Sequence, residues 1–148
     1  MSVALGKLAL VHQERDRLGR TWVAIDDAEP ARIAGFFTLA ASSVDRAAIR
    51  GGDLDRLLRF PIPAVLLARL AVDGRVQGQG LGTWLFDEVL LRTVALAVDG
   101  PIGFRVLITD AKNERVAAFY ERRGMVAIAD DWWPRRMVLD LKPLLPQK

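Results

Sequence analysis

The stretch Arg69-Leu-Ala-Val-Asp-Gly-Arg-Val-Gln-Gly-Gln-Gly-Leu-Gly-Thr83 limits what this chain can fold into more than any other. It reads as a buried strand, a glycine-rich turn and an amphipathic helix. Side chains are scarce in the turn, which lets the backbone come close to a ligand. The amides of Gly78, Gln79, Gly80 and Gly82 can point into one small space. The helix that follows adds its unsatisfied N-terminal donors and the positive end of its dipole. That combination describes a pyrophosphate cradle. Rossmann spacing does not fit, because the glycine at 82 falls one place early. A Walker loop does not fit either, because the required lysine is missing. What remains is Gln77-x-x-Gly80-x-Gly82. Such a turn also serves as a plain tight connection, but its flanks favour a nucleotide. The strand Ala64 to Leu70 is apolar, and Leu81, Trp84, Leu85, Val89 and Leu90 form one helical stripe.

At 148 residues the chain is the size of one domain with a real core. Its hydrophobic share is 51%, yet no apolar run reaches the roughly 18 residues of a membrane span. Met1 to Leu10 is too short and too poorly flanked for a signal peptide. A cytoplasmic protein without a membrane partner is expected. The absence of cysteine excludes disulfides, thiolate metal sites and cysteine nucleophiles. His12 is the sole histidine, which argues against a histidine metal cluster or a Ser–His relay, so no metal is expected. His12 itself reads as exposed on the polar face of an N-terminal helix. The net charge of +3 is carried mostly by arginine, which suits phosphate recognition but equally fits an arginine-rich genome.

Along the chain, Ala4 to Leu18 reads as a helix and Thr21 to Ile25 as a strand. Asp26 to Pro30 is a turn, and Arg32 to Ala40 is the hairpin partner, with Gly35 at a bulge. Ser42 to Arg59 is polar and carries a short helix ending near Phe60. Ala64 to Val72 is the central strand, and the long helix runs from Leu81 to Val98, stopped by Asp99-Gly100-Pro101. Gly103 to Thr109 is a second central strand. Lys112 to Arg123 is a helix with Val116, Phe119 and Tyr120 on its buried face and Gly124 as its C-terminal cap. Met125 to Ile128 and Met137 to Leu141 form a closing strand pair. This order predicts an α/β (α+β) domain with a sheet of mixed direction.

A second constellation is Asp110-Ala-Lys-Asn113, followed by Phe119-Tyr120 and Gly124-Met125. Asn113 opens the helix, and Tyr120 lies about two turns later. With the glycine loop, it resembles the two signatures of the GNAT N-acetyltransferase superfamily. The resemblance implies a mixed central sheet with splayed strands flanked by helices, and acetyl-CoA as the cofactor. It further implies that the pantetheine arm pairs with the strand at Leu70, Ala71 and Val72. Gln77, Gly78, Gln79, Gly80, Leu81, Gly82 and Thr83 would hold the pyrophosphate. Asn113 would bond the pantetheine arm, and Tyr120 would protonate the departing thiolate. A phenol suits that task. Its pKa of about 10 keeps it protonated at neutral pH, above the thiol's value of about 8.5. Two structural readings stand beside these. Asn113 is a standard helix N-cap and can serve both roles. Tyr120 can equally be a core aromatic beside Phe119.

A narrower resemblance covers Leu8 to the C-terminus. It rests on Trp22 to Asp26, Ile33 to Leu39, Pro61 to Val65, Leu67 to Asp73, Ile108 to Asn113 and Phe119 to Met125. These stretches together are similar to the TacT-type acetyltransferase toxins of bacterial toxin–antitoxin pairs. That implies acetylation of the α-amino group of aminoacyl-tRNA, a ribbon-helix-helix antitoxin partner and a homodimer. The chain then reads as one GNAT domain over 1–148 with the toxins' N-terminal strand and helix shortened. Either Met1 to Ala9 takes that segment's place, the start site is internal, or the copy is degenerate.

Two points of chemistry agree with such a substrate. An α-amino group, with a pKa near 8, is about one-tenth neutral at pH 7, whereas a lysine at about 10.4 is neutral in well under about one part in a thousand, so water can take its proton. Arg56, Arg59, Arg69, Arg75, Arg122, Arg123, Arg135 and Arg136 are candidates for tRNA phosphates, and Trp132 and Trp133 for base stacking. The bland alternative is that most of these arginines are solvated and one tryptophan belongs to the core or a dimer contact. Without cysteine, direct transfer in a ternary complex is expected. Two competing functions remain open: an ordinary GNAT enzyme acting on a small amine or a protein N-terminus, and a coenzyme A-binding co-repressor without turnover.

Overall fold

A computed structural model describes residues 7–12, 19–26, 29–45, 61–128 and 132–147. Its elements, in chain order, are β1 (Lys7–His12), β2 (Arg20–Asp26), β3 (Glu29–Val44), β4 (Ile62–Val72), α1 (Leu81–Asp99), β5 (Val106–Ala111), α2 (Glu114–Glu121), β6 (Val126–Ala127) and β7 (Arg135–Asp140). Hydrogen-bonded neighbours run β1-β2-β3-β4-β5-β7-β6. The pairs β1–β2, β2–β3, β5–β7 and β6–β7 are antiparallel. The neighbours β4 and β5 are joined through α1, the long crossover that parallel strands require. The sheet is therefore mixed, as expected.

The N-terminal helix expected over Ala4 to Leu18 is corrected. Lys7–His12 is a strand, in register with β2 from Lys7↔Ile25 to His12↔Arg20. Lys-Leu-Ala-Leu-Val-His contains good helix formers, but so short an apolar run shows no decisive period. The edge of β2 offers it a ladder, and tertiary pairing outweighs propensity. His12 accordingly sits on a strand, not on a helix face. The polar stretch from Ser42 also begins as strand, since β3 continues to Val44. The short helix expected before Phe60 falls mostly on residues 46–60, outside those described.

The chain divides into two compact units. The first comprises Met1–Ala40 and Leu67–Arg92. Its β2–β3 hairpin shifts register beside Gly35: Ala24 faces Gly35 but Ile25 faces Ile33, leaving Ala34 as the extra residue. The Trp22 and Phe37 rings stack 5.1 Å apart, with the Arg92 guanidinium 5.6 Å from the indole centre. Leu81, Leu85, Phe86 and Val89 are buried on α1, while Trp84 and Leu90 are half-buried at the margins of that stripe. Full burial of each such side chain stabilises by about 1.5–3 kcal/mol before chain entropy is counted.

The second unit comprises Ala41–Leu66 and Thr93–Lys148. Val44, Ile62, Ala64, Val106, Ile108 and Val138 make its central cluster, with Leu66 and Ile128 packed against it. Helix α2 packs on β5, β6 and β7. It ends where expected, at Gly124 with φ +93°. The Met125 amide donates to the Tyr120 carbonyl (3.1 Å) and the Gly124 amide to Glu121 (3.0 Å), closing a Schellman motif. The positive φ is why glycine stands there.

Candidate functional site

In the first unit, β4 ends on a small polar hub. The Asp73 amide donates to the Ala34 carbonyl of β3 at 2.8 Å. Its carboxylate accepts from the Arg75 amide at 3.0 Å, capping a 3-10 turn over Gly74–Val76. The same carboxylate pairs with the Arg75 guanidinium at 2.9 Å, and Arg32 Nε stands 3.7 Å away. Hydrogen bonds from the Arg75 side chain and backbone, aided by the charges of Arg75 and Arg32, hold Asp73 down to about 2. Gln77 then reaches back, its Nε2 donating to the Val72 carbonyl at 3.3 Å. The strand end is thus tied to the turn at two points.

Gly78 and Gly80 both adopt φ +80°. A Cβ built on either would meet no heavy atom within 4 Å, so packing does not demand glycine there. The left-handed backbone does. The Trp84 amide donates to the Gly80 carbonyl at 3.0 Å, which makes Gly80 the residue that opens α1. Leu81 and Gly82 follow in the first turn, where a helix supplies no acceptor for its own amides. No acidic residue occupies that turn to compete for its positive end. Gln77, Gly78, Gln79, Gly80 and Thr83 are exposed, Gly82 is half-buried, and the Leu81 side chain enters the core. Open space over two left-handed glycines, at a helix start, suits the diphosphate of a coenzyme. Upstream, Arg69 and Ala71 are exposed, while Leu70 and Val72 are half-buried.

In the second unit, Asn113 caps α2. Its backbone is extended, and its Oδ1 accepts from the Val116 amide at 3.0 Å. The structural reading of Asn113 is therefore realised through its oxygen, and the side-chain nitrogen takes no part in that bond. Tyr120 lies in the last turn of α2, only 5% exposed. Its ring meets Phe119 edge-on at 5.3 Å. Burial pushes the phenol above its usual value, and a hydrogen bond with the Thr109 side chain on β5 acts in the opposite sense. The group stays protonated throughout the neutral range. Tyr120 is thus a core aromatic whose hydroxyl is nonetheless specifically held.

The arginines separate into distinct situations. Arg136 is held by Asp110 through a bidentate pair at 2.7 and 3.2 Å, the two residues facing each other across β5 and β7. Arg123 folds onto the Phe119 ring, 3.6 Å from its centre, and donates to the Phe119 carbonyl at 2.7 Å. Arg135 stacks on Trp133 at 4.0 Å, and Trp132 is 73% exposed. Arg56 and Arg59 lie outside the described residues. The structure thus gathers residues 69–83 in the first unit and Asn113, Tyr120 and Arg136 in the second. Sequence reasoning missed Asp73, Thr109 and Asp110. The aspartate before the glycine turn was the available signal for Asp73; nothing local marked the other two.

With a helical crossover between the neighbouring strands β4 and β5, a glycine turn opening that helix and a buried tyrosine on the helix that follows, the chain belongs to the GNAT acetyltransferase family. Residues 17–125 match the acetyltransferase (GNAT) domain. A tRNA-acetylating toxin of Mycobacterium tuberculosis (strain ATCC 25618 / H37Rv) is 39% identical over 89 residues, covering 60% of this chain and 52% of that protein. The chain thus spans about half the length of that relative. Among solved structures, a mutant of KacT superposes with a TM-score of 0.77 at 26% identity, covering 89% of this chain and 80% of the other. A mutant AtaT toxin bound to the C-terminus of the antitoxin AtaR and acetyl-CoA gives 0.68 at 26% identity, covering 89% and 74%.

Proposed function

We propose that this chain is an acetyl-CoA-dependent N-acetyltransferase that modifies the α-amino group of aminoacyl-tRNA, a toxin activity that blocks translation. The observation that carries the acceptor is the 39% identity to a tRNA-acetylating toxin. The chemistry of transfer is supported independently by the loop and by Tyr120. The solved AtaT relative that holds acetyl-CoA and an antitoxin segment supports the same cofactor and class of partner here.

The left-handed glycines 78 and 80, with Gln77, Gln79, Leu81, Gly82 and Thr83, offer main-chain donors to the diphosphate. Leu70, Ala71 and Val72 offer strand backbone to the amides of the pantetheine arm. Asn113, whose oxygen is spent on the helix cap, has its side-chain nitrogen to offer that arm. When bound, acetyl-CoA supplies the acetyl group as an activated thioester. Tyr120, kept protonated by burial, gives its proton to the departing sulfur. The acceptor amine, with a pKa near 8, is about one-tenth neutral at pH 7, far more than a lysine, and needs no strong base. Because the chain has no cysteine, transfer is direct.

Arg69 and Arg136, with Arg56 and Arg59, are the proposed contacts to tRNA phosphates. Further parts of the reading are a ribbon-helix-helix antitoxin, a homodimer, a cytoplasmic location and a single domain over 1–148. Among the described residues, no helix is long and apolar enough to cross a membrane.

The test is incubation with charged tRNA and labelled acetyl-CoA, followed by mass analysis of the tRNA digest. Label on the aminoacyl α-nitrogen is the expected result. Label that appears only on small amines or protein N-termini would reassign the acceptor. A coenzyme A-bound protein that transfers nothing would remove the enzymatic reading.

A further inference from the structure

The two indoles between β6 and β7 have no task in the transfer chemistry. Trp132 is 73% exposed, and no large hydrophobic side chain among the described residues is more so. Trp133, beside it, is 36% exposed. An indole carries so much apolar surface that folding normally covers most of it. Here one ring is braced at the surface instead. The Arg135 guanidinium lies 4.0 Å from the centre of the Trp133 ring. Its Nε is buried and has no hydrogen-bond partner among the described residues, so among them the ring is what seats it. Arg136 follows, tied to Asp110 by two bonds and with 37% of its side chain still exposed.

Strand register fixes where this group stands. Arg135 pairs with Ala111 at the end of β5, and Arg136 with Asp110. The chain runs on from Ala111 through Lys112 to Asn113, the cap of the helix that carries Tyr120. The indoles, just before β7, are therefore at the end of the second unit where α2 begins.

The residue types decide the partner. Flat rings beside guanidinium groups suit an unpaired nucleotide strand, with the rings taking bases and the cations taking the phosphates between them. The core of a protein–protein interface is depleted of charge. These indoles are instead bracketed by charge, with Asp130 and Asp131 before them in the sequence and Arg135 and Arg136 after. A lone adenine fills one ring, whereas two adjacent indoles suit successive bases.

We propose that Trp132 and the arginine-backed Trp133 form a stacking platform for unpaired bases, those of the single-stranded 3′ end on which tRNA carries its amino acid, with Arg135 and Arg136 beside them for the phosphates. The inference rests on aminoacyl-tRNA as the acceptor. The platform binds and makes no bond. It would favour the end of the RNA over its helical stems, because only unpaired bases have open faces.

The test is binding of uncharged tRNA, fluorescently labelled away from its 3′ end, beside the same tRNA trimmed back to its last base pair. Trp132→Ala should weaken intact tRNA about ten-fold, the size expected for one stacked base, and Trp132→Phe should keep most of the affinity. Trimmed tRNA should bind the parent less tightly than intact tRNA does, and Trp132→Ala should not weaken it further. Stacking releases no counterions, so the slope of log affinity against log salt should be the same in the parent and in Trp132→Ala. Affinity for coenzyme A should not change. Equal losses on intact and trimmed tRNA would overturn the platform, as would a Trp132→Ala protein that binds and acetylates tRNA like the parent. A loss confined to coenzyme A would assign the ring to the cofactor's adenine, and a loss confined to an antitoxin would make this surface a protein interface. Either result overturns the inference and leaves the acceptor standing. A parent that neither binds nor acetylates tRNA would remove the acceptor itself, and the platform with it.

Discussion

Gly35 and Ala71 approach so closely that a Cβ on residue 35 would stand 2.8 Å from the Ala71 carbonyl oxygen. The same Cβ would stand 2.9 Å from Leu85 Cδ1. One of these neighbours is backbone and cannot swing aside. Gly35→Ala should therefore destabilise by about 1–3 kcal/mol, read as a lower urea midpoint at unchanged slope. Because Ala71 belongs to the strand proposed to hold the pantetheine arm, KM for acetyl-CoA should rise as well. Full stability in this variant would mean that β3 and β4 can separate without penalty.

At Gly80 the effects on folding and binding should part company. A side chain there meets nothing within 4 Å but must adopt φ +80°. Gly80→Trp should lower stability by about 1–3 kcal/mol through backbone strain. Calorimetric binding of coenzyme A should vanish, because the ring fills the space assigned to the diphosphate. Retained affinity would move the cofactor away from this turn.

Tyr120→Phe should leave KM for acetyl-CoA nearly unchanged while kcat falls about 100-fold or more. Loss of the Thr109 bond should also lower stability by about 1 kcal/mol. If kcat and cofactor affinity fell together, the ring would be serving the pocket's shape and not the proton.

Arg105 and Asp140 join strand ends within the second unit through bonds of 2.8 and 3.1 Å. Burial opposes the Asp140 charge, but the Arg105 bond, the Lys142 amide and the charges of Arg105 and Lys142 outweigh it, and its pKa falls below the ordinary value. A carboxyl whose folded pKa is depressed stabilises the fold above its unfolded value of about 3.9, and loses that contribution as pH falls through the folded one. Asp140→Asn should therefore be less stable than the parent at pH 7, by about 1 kcal/mol after allowance for partial exposure. The difference should shrink progressively in acid unfolding below about pH 4. A constant gap across that range would exclude the ion pair as its origin.

Arg69→Gln should weaken aminoacyl-tRNA without changing KM for acetyl-CoA. If the guanidinium meets one phosphate, the slope of log affinity against log salt should fall by about 1. An unchanged slope would return Arg69 to the solvated surface.

Much of this molecule was legible in its residues wherever a period and a stop signal coincide. The stripe Leu81–Leu85–Val89 marked α1, Asn113 and Gly124 marked the two ends of α2, and the apolar runs marked β4 and β5. Lys7–His12 reads as helix and folds as strand because six residues with helix-forming leucines look alike in either state until a neighbouring strand is present. Pairings between distant elements were not legible for a different reason. Whether Thr109 faces Tyr120, or Asp110 faces Arg136, depends on strand register and helix seating, which no local spacing encodes. Asn113 shows the reverse case: one residue type fits two readings, and the structure shows its oxygen on the cap.

The Asp110–Arg136 pair alters what a basic residue means at this position. An incoming phosphodiester there does not meet a bare cation; it must displace a carboxylate, so one anion is swapped for another. Such a substitution leaves the local charge balance nearly as it was and sheds few bound counterions. Nucleic acid held through Arg136 should accordingly respond less to ionic strength than nucleic acid held through an unpaired arginine, and more to the geometry of the anion offered.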